Sequence, residues 1–166
     1  MRAGVLALQG GFAAHLACLA LAGYRAAPVR HAEQIAGLDL LVLPGGESSA
    51  QRDLCEGDLL AAITAFERPI AATCAGCILL AREVDPRPRR AGLALLDVAV
   101  QRNAYGPQIN SRVALSDDGR NELVFIRAAR ITRGGADVEV LARYGATYHP
   151  ELGSSPASSV DFYRRL

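Results

Sequence analysis

The chain contains no lysine; all 18 of its basic residues are arginine. It cannot form a lysine Schiff base, so carbonyl condensation of that kind must belong to a partner. Charge of one dominant sign is also missing. The arginines face 17 acidic residues, for a formal net charge of +1, and nothing in that balance favours nucleic acid or an anionic membrane. No apolar run reaches the roughly 18 residues of a membrane span. Residues 1–9 resemble the core of a signal peptide only superficially. They are few and run into Gly10-Gly11 and an amphipathic helix, as the first strand of an α/β fold does. The expected location is cytoplasmic. There is no internal repeat, low-complexity segment or convincing linker. Residues 1–166, 51% hydrophobic, are therefore expected to form one domain with a substantial core.

Apolar strands alternate with helical patterns through the first half. Strands are predicted at 3–8, 24–29 and 38–43, and a helix at 12–22 with Phe12, Leu16, Leu19 and Ala20 on one face, ending at Gly23. Ser48 or Ser49 can cap a following helix, and another covers 58–66. The apolar run 70–73, bounded by Pro69, suits a buried strand; from Ala75 the pattern turns helical, with Ile78, Leu79 and Ala81 available to a core. This alternation predicts a three-layer α/β sandwich with a mostly parallel central sheet. Beyond Ala81 the texture changes. Residues 85–90 read as a proline-broken polar loop, followed by strands at 95–101, 112–115, 123–126 and 138–141 and a last helix at 157–165.

Cys74 stands where the 70–73 strand meets a helix. A thiol there faces the positive end of a helix dipole, which favours the nucleophilic thiolate. Gly76 permits a tight turn like a nucleophile elbow, and the Ala75 amide could face an oxyanion. Gly10-Gly11, Pro44-Gly45-Gly46-Glu47-Ser48 and Cys74 all follow apolar strands, so they are expected at one sheet edge, where α/β ligands bind. For Gly45-Gly46 alone, a simple sharp turn is the better reading; beside a cysteine elbow, a backbone amide aimed at a substrate carbonyl becomes the better one.

Of the three histidines, His15, His31 and His149, only His149 sits in a suggestive setting. Pro150 stiffens the chain after it, and Glu151, two positions on, can orient the imidazole. A nucleophile, a base and a group that orients the base make a triad. The four cysteines, Cys18, Cys55, Cys74 and Cys77, are expected as reduced thiols. Cys74 and Cys77 form a C-x-x-C that also suits a thioredoxin-like redox motif, but the strand–helix units before it fit another fold better. No second Cys/His pair lies at zinc-ligand spacing, so no metal is expected.

These residues resemble the class I, triad-type glutamine amidotransferases, and more narrowly the glutaminase subunits of pyridoxal 5′-phosphate synthase. The segments that carry the likeness are 5–10 (Val-Leu-Ala-Leu-Gln-Gly), 43–49 (Leu-Pro-Gly-Gly-Glu-Ser-Ser), 73–76 (Thr-Cys-Ala-Gly), 100–103 (Val-Gln-Arg-Asn), 124–128 (Val-Phe-Ile-Arg-Ala) and 149–152 (His-Pro-Glu-Leu). They run in family order over nearly the whole chain. The resemblance implies a flavodoxin-like fold and hydrolysis of L-glutamine to glutamate and ammonia without a cofactor. It implies Cys74 as nucleophile, His149 as acid and base, Glu151 as its orienting group, and amides near Gly46 and Ala75 as oxyanion donors. Matched residue by residue, the glutamine site is Gly46, Glu47, Ser48, Arg102, Ile126 and Arg127. By spacing alone Arg102 and Arg127 read as solvated strand arginines; as site residues, their forks suit an α-carboxylate. The implied partner is a (β/α)8-barrel synthase subunit that receives the ammonia, and Gln9 lies in the segment that would respond to its docking.

The chain departs from that pattern in places. Between residues 138–141 and His149 the family usually carries a further strand and turn of a dozen or more residues. Here the seven residues 142–148 join the two directly. Cys77 stands where an apolar residue is usual, Ser49 where threonine is common, and the loop before Pro69 and the C-terminal tail are short.

Overall fold

The computed structural model describes residues 1–104, 112–116, 119, 122–125 and 129–139. Strands β1 (Arg2–Leu6), β2 (Arg25–Val29), β3 (Leu40–Leu43) and β4 (Ile70–Ala72) form one sheet in the order β2-β1-β3-β4, and every pair is parallel. Helix α1 (Phe12–Leu21) links β1 to β2, and a single 3-10 turn (Ala32–Gln34) links β2 to β3. Helices α2 (Ser48–Leu54) and α3 (Gly57–Thr64) both lie between β3 and β4, and α4 (Ala75–Leu80) follows β4. Among the described residues, no helix is long and apolar enough to cross a membrane.

Successive strand side chains point to opposite faces, and the core divides accordingly. Ala3, Val5, Leu40, Val42 and Ala71 pack beneath Leu19, with Phe12 and Leu16 of α1 alongside. Leu6, Leu41 and Leu43 face the other way, onto Leu59 and Ile63 of α3 and Leu79 and Leu80 of α4. Two helix layers thus cover a sheet whose central strand β3 is buried throughout, as expected for three layers. On α1 the inward stripe is Phe12, His15, Leu16 and Leu19. Ala20, expected on that face, is exposed, and the buried position is His15.

The elements after Cys74 differ more from expectation. Helix α4 stops at Leu80, and Ala81 opens strand β5 (Ala81–Asp85) instead of continuing the helical face. β5 pairs in parallel with β6 (Leu96–Gln101), which pairs antiparallel with β9 (Arg130–Gly134). Neither β5 nor β9 has a continuous apolar pattern. They are tied by charge: Arg133 reaches Glu83 at 2.8 Å and Asp97 at 3.0 Å, and Arg82 reaches Asp97 at 3.2 Å. Strands β7 (Arg112–Leu115) and β8 (Glu122–Phe125) form an antiparallel pair. Val138 and Glu139, expected to begin a strand, carry none; the rest of that segment and the 157–165 helix lie outside the described residues.

The sheet brings three loops together at one edge. Leu43 is in register with Ala72, and Val5 with Val42, so the chain leaves β1, β3 and β4 side by side. The contact between them is backbone on backbone. A Cβ on Gly76 would run into the Leu43 carbonyl, 2.7 Å from its carbon, and one on Gly10 would run into the Gly45 carbonyl oxygen. Gly76→Ala is therefore expected to lose about 1–3 kcal/mol by overpacking, read as a lower urea midpoint at an unchanged slope.

Candidate active site

Cys74 is the residue before α4 and has φ +44°, a conformation that L-residues with side chains seldom adopt. The chain is held there from both sides. The Thr73 N–H donates to Leu43 O at 3.1 Å, the Gly76 N–H to Thr73 O at 2.8 Å, and the Ile78 N–H to Cys74 O at 3.1 Å. A non-glycine residue at positive φ costs of order 1–3 kcal/mol and persists where its surroundings over-determine it. Cys74 as a whole is 8% exposed, so the residue sits in the elbow and not on an open surface.

The second loop is the Gly45-Gly46 turn after β3. Gly45 O accepts the Gly11 N–H at 3.0 Å, which latches this turn to the loop after β1. Because N–H and C=O are antiparallel in a trans peptide, the Gly46 N–H points away from that loop. Gly46 has φ +154°, and a Cβ there would strike the Gln9 carboxamide and lie 2.8 Å from Gly10 Cα. Gln9 Oε1 accepts the Glu47 N–H at 2.9 Å, and Gln9 Nε2 donates to Gln51 Oε1 at 3.1 Å. That chain of bonds forces the orientation of both carboxamides. It also leaves Gln51 Nε2 buried without a hydrogen-bond partner among the described residues.

Glu47 caps α2. Its carboxylate accepts the Ala50 N–H at 2.6 Å, so the cap is Glu47 and not Ser48 or Ser49, which begin the helix. Arg102 arrives from the end of β6, where its N–H donates to Asp85 O at 2.6 Å and Asn103 turns the chain at φ +53°. Its guanidinium donates to Ser49 Oγ at 3.1 Å and lies 3.9 Å from Glu47 Oε1. Arg102 is 18% exposed, so it belongs to the turn and is not the solvated strand arginine that spacing suggested. A cavity of about 250 Å³ adjoins this turn, lined by Ser48, Ser49, Ile78, Leu79 and Arg102 among others. Its far wall is the loop after β5, where Arg90 pairs with Asp53 at 3.3 Å and Glu56 at 3.1 Å. A larger cavity of about 560 Å³ lies over β5 and β6 and holds none of the expected site residues.

The model of the SNO glutamine amidotransferase family matches residues 5–163. This chain belongs to that family. A protein of Koribacter versatilis named pyridoxal 5′-phosphate synthase subunit PdxT is 41% identical, over 92% of this chain and 88% of that one. The Haemophilus ducreyi protein of the same name is 42% identical, over 90% of this chain and 88% of its own. A solved crystal structure of a glutamine amidotransferase superposes with a TM-score of 0.86 at 34% identity, covering 98% of this chain and 97% of that one. The Koribacter alignment runs over 171 positions with only 92% of a 166-residue chain taking part, so that relative has residues with no counterpart here.

Of the site residues expected for a member of this family, Gly46, Glu47, Ser48, Cys74, Ala75 and Arg102 are described. They sit at the adjoining ends of β3, β4 and β6. His149, Glu151, Ile126 and Arg127 lie outside the described residues. Among those that are described, no group of three or more His, Cys, Asp or Glu side chains could hold a metal ion. Burial pushes the Cys77 thiol up to about 11, and the neighbouring Cys74 adds to the effect, so Cys77 stays protonated at neutral pH. Burial likewise raises the Cys55 thiol, against a smaller opposing effect of Arg52. Gln51 and His15 are two buried polar residues beside the site that the sequence did not single out. Each occupies an inward helix position, and no spacing rule marks its partner.

Burial pushes the Glu47 carboxyl up, but the Ala50 and Ser49 N–H groups and the Arg102 charge outweigh it and hold the carboxyl below its ordinary value. The cap's contribution to stability is then fully present above the unfolded carboxyl's pKa and is lost as pH falls through the lower folded one. Melting temperatures of wild type and Glu47→Ala should therefore differ at neutral pH and converge in acid; a constant gap would contradict the ionised cap. Gln51→Leu removes the Nε2 donor that lacks a partner among the described residues but also the acceptor of the Gln9 Nε2–H bond, so a net loss of about 1–3 kcal/mol is expected in a urea titration. A stability equal to or above that of wild type would show that the Gln9–Gln51 bond contributes nothing net.

Proposed function

We propose that this chain is the glutaminase subunit of a pyridoxal 5′-phosphate synthase, with residues 1–166 acting as a single cytoplasmic amidotransferase domain. It hydrolyses L-glutamine to L-glutamate and ammonia. The observation that carries this reading is the positive-φ cysteine at a strand–helix joint, beside a twin-glycine turn that Arg102 braces. The names of the relatives support the pathway assignment.

In this reading the Cys74 thiolate attacks the side-chain amide carbon of glutamine. The resulting oxyanion is met by the N–H groups of Gly46 and Ala75. Gly46 suits that role because its N–H is turned away from the latched β1 loop. His149 gives a proton to the departing nitrogen, releasing ammonia and leaving a glutamyl thioester. It then takes a proton from water, whose oxygen attacks the thioester and frees glutamate and the thiol. Glu151 holds the imidazole in the tautomer both steps need. Gly46, Glu47, Ser48, Arg102, Ile126 and Arg127 seat the glutamine, with the arginines toward its α-carboxylate. The ammonia passes to a (β/α)8-barrel synthase subunit, and any imine chemistry takes place there because this chain has no lysine.

A second reading is a subunit that docks on the synthase but no longer hydrolyses glutamine. The residues that a relative carries and this chain lacks motivate it, since a misplacement of about 1 Å in a catalytic group can cost 10²-fold in rate. Ammonia release from L-glutamine, with and without the synthase, separates the two. Synthase-dependent release that disappears in Cys74→Ala is the expected result. A stable complex with no release would favour the docking-only subunit.

A further inference from the structure

Behind the nucleophile lies a buried polar pair that the chemistry above does not use. His15 has no exposed surface and Thr73 is 3% exposed. His15 Nε2 and Thr73 Oγ1 lie 3.2 Å apart, joining residues 58 positions apart in the chain. Which of the two donates depends on the imidazole tautomer. His15 is on α1, in a stripe otherwise made of Phe12, Leu16 and Leu19. An apolar side chain would extend that stripe, whereas an imidazole there requires hydrogen-bond partners. Thr73 immediately precedes Cys74. By the alternation along β4, its side chain falls on the same face as Ala71, the α1 side of the sheet.

The main-chain bonds that hold Cys74 at positive φ come from β3 and from within α4: Thr73 to Leu43, Gly76 to Thr73, and Ile78 to Cys74. They leave the α1 side of the elbow to side chains. We infer that His15 is a positioning residue for the nucleophile: its ring fixes the Thr73 hydroxyl and so braces the strained Cys74 elbow from the opposite helix layer. The function of that brace rests on the glutaminase reading. A strained turn fixed from two layers keeps one geometry through both halves of a thioester reaction. Fixed from one layer, it can relax toward ordinary φ and carry the sulfur away from its line of attack.

The test uses the full chain with its synthase subunit and four variants: Thr73→Val, which is nearly isosteric and lacks the hydroxyl; Thr73→Ser, which keeps it; His15→Leu; and the His15→Leu/Thr73→Val double. Thr73→Val is expected to lower kcat for glutamine hydrolysis about tenfold, with KM within about twofold, and Thr73→Ser to restore it. The double variant should be no worse than the worse of the two single ones, because each already removes the His15–Thr73 contact. Without glutamine, alkylation of Cys74 by iodoacetamide, read on its own peptide by mass, should slow in Thr73→Val and not in Thr73→Ser. Wild-type kcat and alkylation in Thr73→Val would overturn the inference. So would additive losses that track the melting temperature alone. If His15→Leu does not fold, the Val/Ser comparison at Thr73 decides by itself. If wild type releases no ammonia, the glutaminase reading fails, while the alkylation rates still decide whether the brace exists.

Discussion

Three main-chain segments come closer together at the ends of β1, β3 and β4 than side chains would allow. Gly10 lies against the Gly45 carbonyl, Gly46 against the Gln9 carboxamide and Gly10, and Gly76 against the Leu43 carbonyl. Each glycine is needed because a neighbour's backbone occupies the place of its Cβ. The Cys74 conformation, the direction of the Gly46 amide and the entry of α2 all follow from this contact. Parallel pairing makes it possible by bringing three strand ends to one edge in register.

Around that contact the polar groups divide into two sets. On the open side, Glu47 caps α2 and Arg102 bridges to Ser49, so the first turn of the helix is fixed by charge as well as by hydrogen bonds. On the closed side, Gln9 and Gln51 pin the Glu47 amide, and His15 meets Thr73 behind the thiol. The closed set is the costlier one. Buried amides and imidazoles stabilise only when every member is bonded, and Gln51 keeps one donor without a partner among the described residues.

The first half of the fold was legible because its signals are local and strong. Unbroken apolar runs such as residues 40–43 belong to strands buried on both faces, and the four parallel strands lie where the sequence put them, to within two residues at each end. The elbow was legible for the same reason, since strand, cysteine and glycine are contiguous. β5 and β9 were not. Their residues are largely charged and exposed, and pairing through Arg133, Glu83 and Asp97 leaves no periodic pattern to read. The cap on α2 was misplaced by one or two residues because glutamate competes poorly with serine as a cap on propensity alone. Here its longer side chain reaches the Ala50 amide while Arg102 stands nearby. Arg102 was legible as a site residue only through family likeness: what removes it from solvent is a turn 53 positions away in the chain.

A site floored by main chain has a particular tolerance to mutational drift. Where a pocket is shaped by side chains, nearly every lining position constrains what can replace it. Here the shape is set by a few residues whose only necessary property is having no side chain, along with carbonyls and amides that every amino acid supplies. Apart from the residues that pin this floor, Gln9, His15, Glu47, Thr73 and Arg102 among them, neighbouring positions are then free to change charge, size and polarity as long as the glycines stay. Such an architecture lets a surface be rebuilt to suit a new partner without retuning the catalytic geometry beneath it.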